Sequence, residues 1–110
     1  MRIQVYQDAQ GWEPFVIWLE SIRNSKTQAR IRKRLRRMEL GNPGDYRAVG
    51  DGVFELRFHF GPGYRVYFGR VRSTIVLLLV GGDKHSQERD IQRSKVYWYD
   101  YQQSAEHEET

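Results

Sequence analysis

Two arginines, a histidine, a tyrosine and a lysine lie within 28 residues of one another, on segments whose spacing can bring them together. The run Val53-Phe54-Glu55-Leu56-Arg57-Phe58-His59-Phe60 alternates as a strand does. Phe54, Leu56, Phe58 and Phe60 point one way, Glu55, Arg57 and His59 the other. Gly61-Pro62-Gly63 then predicts a turn, and Tyr64-Arg65-Val66-Tyr67-Phe68 a returning strand. A three-residue loop sets His59 opposite Arg65 and Arg57 opposite Tyr67. The next strand ends in Gly81-Gly82-Asp83-Lys84, which adds a cation behind two glycines that permit close backbone approach. Arginine forks match phosphate oxygens. RNA cleavage through the 2′-hydroxyl needs cations for the charge on pentacoordinate phosphorus and a group that moves protons, here His59 or Lys84. The bland alternative is the solvated face of a half-open antiparallel sheet.

A second charged feature is the segment carrying Lys26, Arg30, Arg32, Lys33, Arg34, Arg36 and Arg37, with Glu39 its only acid. Ile31, Leu35 and Met38 share one side of it at helical spacing. The cations are then either a solvated helix face or a track for a phosphate backbone or an acidic partner, with Lys33 and Arg37 the candidate RNA contacts. Arg47, Tyr67 and His85 are further candidate RNA contacts.

The elements that must position these residues follow from the pattern. Ile3 to Tyr6 reads as a first strand. Pro14 suits a helix N-terminus, and Phe15, Trp18, Leu19 and Ile22 supply its apolar stripe. Ser25 and Gln28 form a capping box for the cationic helix, which stops at Gly41-Asn42-Pro43-Gly44. Tyr46–Val49 is a short strand, and Gly50-Asp51-Gly52 turns into the 53–60 strand. Ile75–Val80 is apolar without alternation, as in a strand covered on both faces. Ser86 caps a last helix striped by Ile91, Ser94, Lys95, Trp98 and Tyr101. In this helix Asp90 favours the N-terminal dipole. The expectation is α+β: a twisted, mostly antiparallel sheet with an N-terminal helical hairpin on one face and a C-terminal helix. Residues 1–101 form the single domain and 102–110 a disordered acidic tail.

Composition narrows the chemistry. The 110 residues contain no cysteine, which removes thiolate nucleophiles, thiolate zinc sites and disulfides. His59, His85 and His107 show no metal-ligand spacing, and neither a metal nor a cofactor is expected. The N-terminus lacks a signal-peptide core and Ile75–Val80 is too short to span a bilayer, so a cytoplasmic protein is expected. Every Lys and Arg falls in residues 1–101 but three acids lie beyond, so that the +4 of the whole chain becomes +7 there. Such a field favours polyanions or an acidic protein. The G-x-x-x-x-G-K-[ST] phosphate loop is absent.

Glu55-Leu56-Arg57, Gly61-Pro62-Gly63-Tyr64-Arg65-Val66-Tyr67-Phe68, Leu77-Leu78-Leu79-Val80-Gly81-Gly82-Asp83-Lys84 and Gln87-Glu88-Arg89-Asp90-Ile91 come after a strand and two helices. In this order the chain resembles the RelE/ParE superfamily of bacterial toxins. It is most similar to the HigB-like "addiction module killer" branch, also found as phage-derived proteins. The resemblance covers about residues 2–99. It implies the toxin of a type II toxin–antitoxin pair, a metal-independent, ribosome-dependent mRNA endonuclease that leaves a 2′,3′-cyclic phosphate. A small helix-turn-helix antitoxin is the implied partner. Arg57, Arg65 and Lys84 match the family's basic positions. Glu55 departs from them, standing where the best-known members carry a lysine, with His59 compensating, and Tyr97 stands nearest the C-terminal tyrosine of some members. ParE-type toxins share the Gly-Tyr-Arg-Val turn but inhibit DNA gyrase. That activity and an inactive binding module are the alternatives.

Overall fold

The computed structural model describes residues 1–109, with side chains through residue 105. It is α+β, with three helices around one five-stranded mixed sheet. In chain order the elements are β1 (Arg2–Val5), α1 (Pro14–Ser21), α2 (Ser25–Glu39), β2 (Tyr46–Gly50), β3 (Val53–Arg57), β4 (Arg65–Val71), β5 (Ile75–Gly82) and α3 (Gln87–Glu109). The strand order is β1-β5-β4-β3-β2, with β1 parallel to β5 and all other pairs antiparallel. Among the described residues no helix is long and apolar enough to cross a membrane.

The sheet has a core on each face. Phe15 and Leu19 of α1 and Ile31, Leu35 and Met38 of α2 pack on Leu56, Phe58, Val66, Phe68, Val76 and Leu78. Trp98 of α3 packs on Val53, Tyr67, Leu77, Leu79 and Val80. The face expected to carry solvent-exposed chemistry is therefore largely under α3. Strand periodicity identifies two faces but not a covering helix that arrives 30 residues later. Ile75–Val80 is interior as its composition requires. Leu79 and Val80 fall in the same core because β4 and β5 shift register between Tyr67 and Phe68, a β-bulge.

Several local expectations change. α2 is capped by Asn24, whose side chain accepts from the Lys26 and Thr27 N–H groups, while Gln28 donates instead to the Ile22 carbonyl. α3 runs on through 102–109, where a disordered tail was expected. No glycine or proline interrupts it after residue 87, and the Gln, Glu and Ala of its sequence are good helix formers. Thr110 and the His107 side chain lie outside the described residues.

The two glycines ending β5 serve packing. A Cβ on Gly81 would lie 2.1 Å from Trp18 Cε3, and one on Gly82 1.8 Å from a carboxylate oxygen of the buried Asp90. Gly81→Ala must push the Trp18 ring off the strand. It is expected to destabilise the fold by about 1–3 kcal/mol, as overpacked cores do. An unshifted urea midpoint would show that the indole relocates freely.

Candidate functional site

The polar end of the β3–β4 hairpin is organised by two carboxylates that the arginines share. Arg57 and Arg65 are direct cross-strand neighbours, and Glu55 faces Tyr67. The expected pairing is thus offset by two residues: His59 is not opposite Arg65, nor Arg57 opposite Tyr67. The cause is a longer loop. β3 stops at Arg57, Phe58 N–H donates to the Tyr64 carbonyl at 3.0 Å, and the chain reverses between Phe60 and Gly63 at 3.2 Å. Opposed like charges destabilise a sheet unless they are offset. Here Asp45 and Glu55 offset them.

Asp45, just before β2, has one oxygen 3.1 Å from Arg57 Nη2 and the other 2.6 Å from His59 Nε2. The imidazole N–H must be the donor, because the carboxylate can only accept. The hydrogen bond from Arg57, followed by that from His59, holds the Asp45 carboxyl below its ordinary pKa. His59 therefore joins the site through Asp45, on the side of Arg57. Asp45 was not recognised in the sequence because its role depends on β2 lying beside β3.

Glu55 is fully buried, and its carboxylate accepts from Arg47 Nε at 2.9 Å, Tyr67 Oη at 3.0 Å and Gln87 Nε2 at 3.0 Å. Arg65 Nε stands 3.7 Å away. Burial by itself would raise the carboxyl pKa. The bonds from Gln87, Arg47 and Tyr67 outweigh it and the pKa is lowered. Tyr67 is fully buried too, and burial together with Glu55 pushes its hydroxyl far up. A side chain so enclosed cannot meet RNA, which corrects its expected role. Arg47 is half exposed but tethered to Glu55.

Arg65 Nη1 donates to the Gly63 carbonyl at 2.6 Å, and a Cβ built on Gly63 would lie 3.0 Å from that nitrogen and 3.5 Å from Lys84 Cβ. Lys84 N–H reaches the Pro62 carbonyl at 3.4 Å. Arg57, Arg65 and exposed Lys84 thus converge, with His59 bound to Arg57 through Asp45. The Nε atoms of Arg57 and Arg65 are both buried without a hydrogen-bond partner. His85 is exposed but faces a different cleft, beside α3.

The cationic helix divides in two. Arg34 is a clamp: Nε donates to the Pro43 carbonyl at 2.8 Å, Nη1 to the Arg57 carbonyl at 2.7 Å and Nη2 to the Asp45 carbonyl at 3.0 Å. It fastens the segment bearing Asp45 to the end of β3. Arg30, Lys33 and Arg37 line a trough of about 320 Å³ with Phe58, His59 and Phe60, and the Arg30 guanidinium lies 3.7 Å over the Phe60 ring. The trough leads from α2 to His59. Among the described residues, no three His, Asp or Glu side chains are placed to hold a metal ion. What the arrangement offers is an anion seat on paired guanidinia, a carboxylate-held imidazole beside it and a positive approach.

No protein-family model matches the chain. It is similar to an uncharacterized protein of Haemophilus influenzae, 44% identical over 82 residues that make up 74% of this chain and 83% of the relative.

Proposed function

The chain belongs to one family with that Haemophilus influenzae protein, and from the sequence resemblance and the site geometry we propose that it is a RelE-like toxin of a type II toxin–antitoxin pair, a metal-independent mRNA endonuclease acting on the ribosome in the cytoplasm. The observation that carries the reading is the directly opposed Arg57–Arg65 pair, next to Lys84 and the Asp45–His59 couple. The paired guanidinia would hold the scissile phosphate and offset its growing charge. His59, oriented by Asp45, would take the 2′-hydroxyl proton. The α2 trough would lead the RNA backbone to it. A small helix-turn-helix antitoxin, encoded by an adjacent reading frame, would silence the toxin, and co-expression of the two would restore growth.

One observation favours a second reading, a gyrase-directed inhibitor or an inactive binding module. Asp45 and Glu55 already neutralise part of the cationic site. Mapping the 5′ ends of cellular mRNA after induction separates the cases. In-frame cuts within translated messages support the nuclease, whereas gyrase-linked DNA breaks or harmless expression remove it.

The trough has its own test. Lys33 and Arg37 lie off the buried Ile31–Leu35–Met38 stripe, on the solvent side of α2. The double substitution Lys33→Glu and Arg37→Glu is expected to leave thermal stability near the parent. It should also lower the slope of log affinity for ribosomes against log salt by about 0.7–0.9 for each phosphate no longer neutralised. An unchanged slope would make these cations ordinary solvated charges.

A further inference from the structure

Of the seven cations on α2, six are exposed and Arg34 is the one half-buried. All its hydrogen bonds among the described residues go to backbone carbonyls, those of Pro43 and Asp45 in the connection to β2 and that of Arg57 at the end of β3. Burial, and after it the neighbouring Arg37, press its pKa below the ordinary value, so the charge is held there against a cost. The connection has little else to fix it. Pro43 has no N–H to give, Gly44 lies in the left-handed region at φ +76°, and Arg57 N–H supplies the other backbone tie, to the Asp45 carbonyl at 3.0 Å.

That connection carries Asp45, whose carboxylate accepts from Arg57 Nη2 with one oxygen and from His59 Nε2 with the other. The His59 side chain is 74% exposed and has little packing of its own to orient it. Its place beside Arg57 therefore follows from where the Asp45 backbone is held. Gly44 takes part as well. A Cβ on it would lie 2.8 Å from Arg34 Nη2 and 2.9 Å from Arg34 Nε, so glycine serves both the backbone angle and the close approach of the guanidinium.

We propose that Arg34 is the positioning residue of the site: by gripping the Pro43–Asp45 backbone and the end of β3 in one planar fork, it sets the place from which Asp45 holds His59 beside Arg57. Lysine cannot replace it, because one ammonium does not span three carbonyls on two segments. For its consequence in rate the inference rests on the nuclease reading, and for its geometry on these contacts alone.

The test is a double-mutant cycle read in single-turnover cleavage of ribosome-bound message, with NMR of the imidazole alongside. Arg34→Met keeps an apolar stem beside Phe58 and removes the fork. It should lower the rate about tenfold or more, Arg34→Lys nearly as much, and Arg34→Met combined with Asp45→Ala no further than Asp45→Ala by itself. Gly44→Ala removes no charge, and should lower the same rate while ribosome affinity stays parental. In both Arg34→Met and Gly44→Ala the His59 ring signals should move to where Asp45→Ala places them. Additive losses in the double variant, rescue by Arg34→Lys, or His59 signals that stay parental in both single variants would overturn the inference. So would a rate loss that disappears when each variant is assayed well below its melting temperature. If Arg34→Met does not fold, Gly44→Ala decides by rate and spectrum. A parent that cuts no message removes the nuclease reading and the catalytic role of Arg34 with it, whereas shifted His59 signals at a parental rate overturn the role of Arg34 and leave that reading standing.

Discussion

Arg65→Ala should lose RNA cleavage by about 30- to 900-fold, which is the loss of one preorganised transition-state donor at about 2–4 kcal/mol. The guanidinium sits opposite Arg57, one nitrogen spent on the Gly63 carbonyl, with its side chain 14% exposed. Its removal leaves Glu55 with Arg47, Tyr67 and Gln87, so the fold should persist. The loss should appear in the single-turnover rate at saturating ribosome, with Arg65→Lys recovering part of it, since the charge returns without the fork. Parental cleavage by a folded Arg65→Ala protein would show that the phosphate does not sit on the arginine pair.

Removing the Glu55 carboxylate should cost more stability than any exposed substitution. Glu55→Ala strands the buried Tyr67 hydroxyl and leaves Arg65 without its carboxylate. About 3–5 kcal/mol is expected from breaking a buried charged pair in this way. Glu55→Gln preserves the shape and isolates the charge. Because the folded pKa lies below the ordinary value of 4.5, the carboxylate contributes stability above that pH, and the contribution is lost as pH falls through the folded value. Stability in urea denaturation of the parent should therefore fall more steeply than that of Glu55→Gln as pH drops below the ordinary 4.5. Parallel pH profiles would mean that the network binds Glu55 equally well protonated.

These two substitutions test different roles for neighbouring charges. In the proposed function Arg65 would turn an otherwise unfavourable like-charge pairing toward a substrate anion. Glu55 lies beneath it and makes that pairing tolerable in a sheet. A glutamate among arginines on an alternating strand reads as one more solvated charge. Its burial follows from Gln87 and the rest of α3 closing over the face, which no local pattern contains.

By itself the sequence determined the elements. Proline before an apolar 3.6-residue stripe dictated α1, Ile31, Leu35 and Met38 dictated the buried side of α2, and the unalternating Ile75–Val80 run dictated an interior strand. It also determined which residue types could meet a phosphate, because Arg57, Arg65 and Lys84 sit at strand ends whatever the register. The tertiary structure decided which of them touch. The loop after β3 is longer than the Gly-Pro-Gly turn, which moved the hairpin register by two residues, so Arg57 met Arg65 and Tyr67 was buried on Glu55. Arg34 left the cationic face to clamp Asp45, and Asp45 brought His59 to Arg57. Periodicity is local and reports faces. Register, covering helices and shared carboxylates arise from contacts between residues far apart in the chain, and are settled only when the whole chain packs.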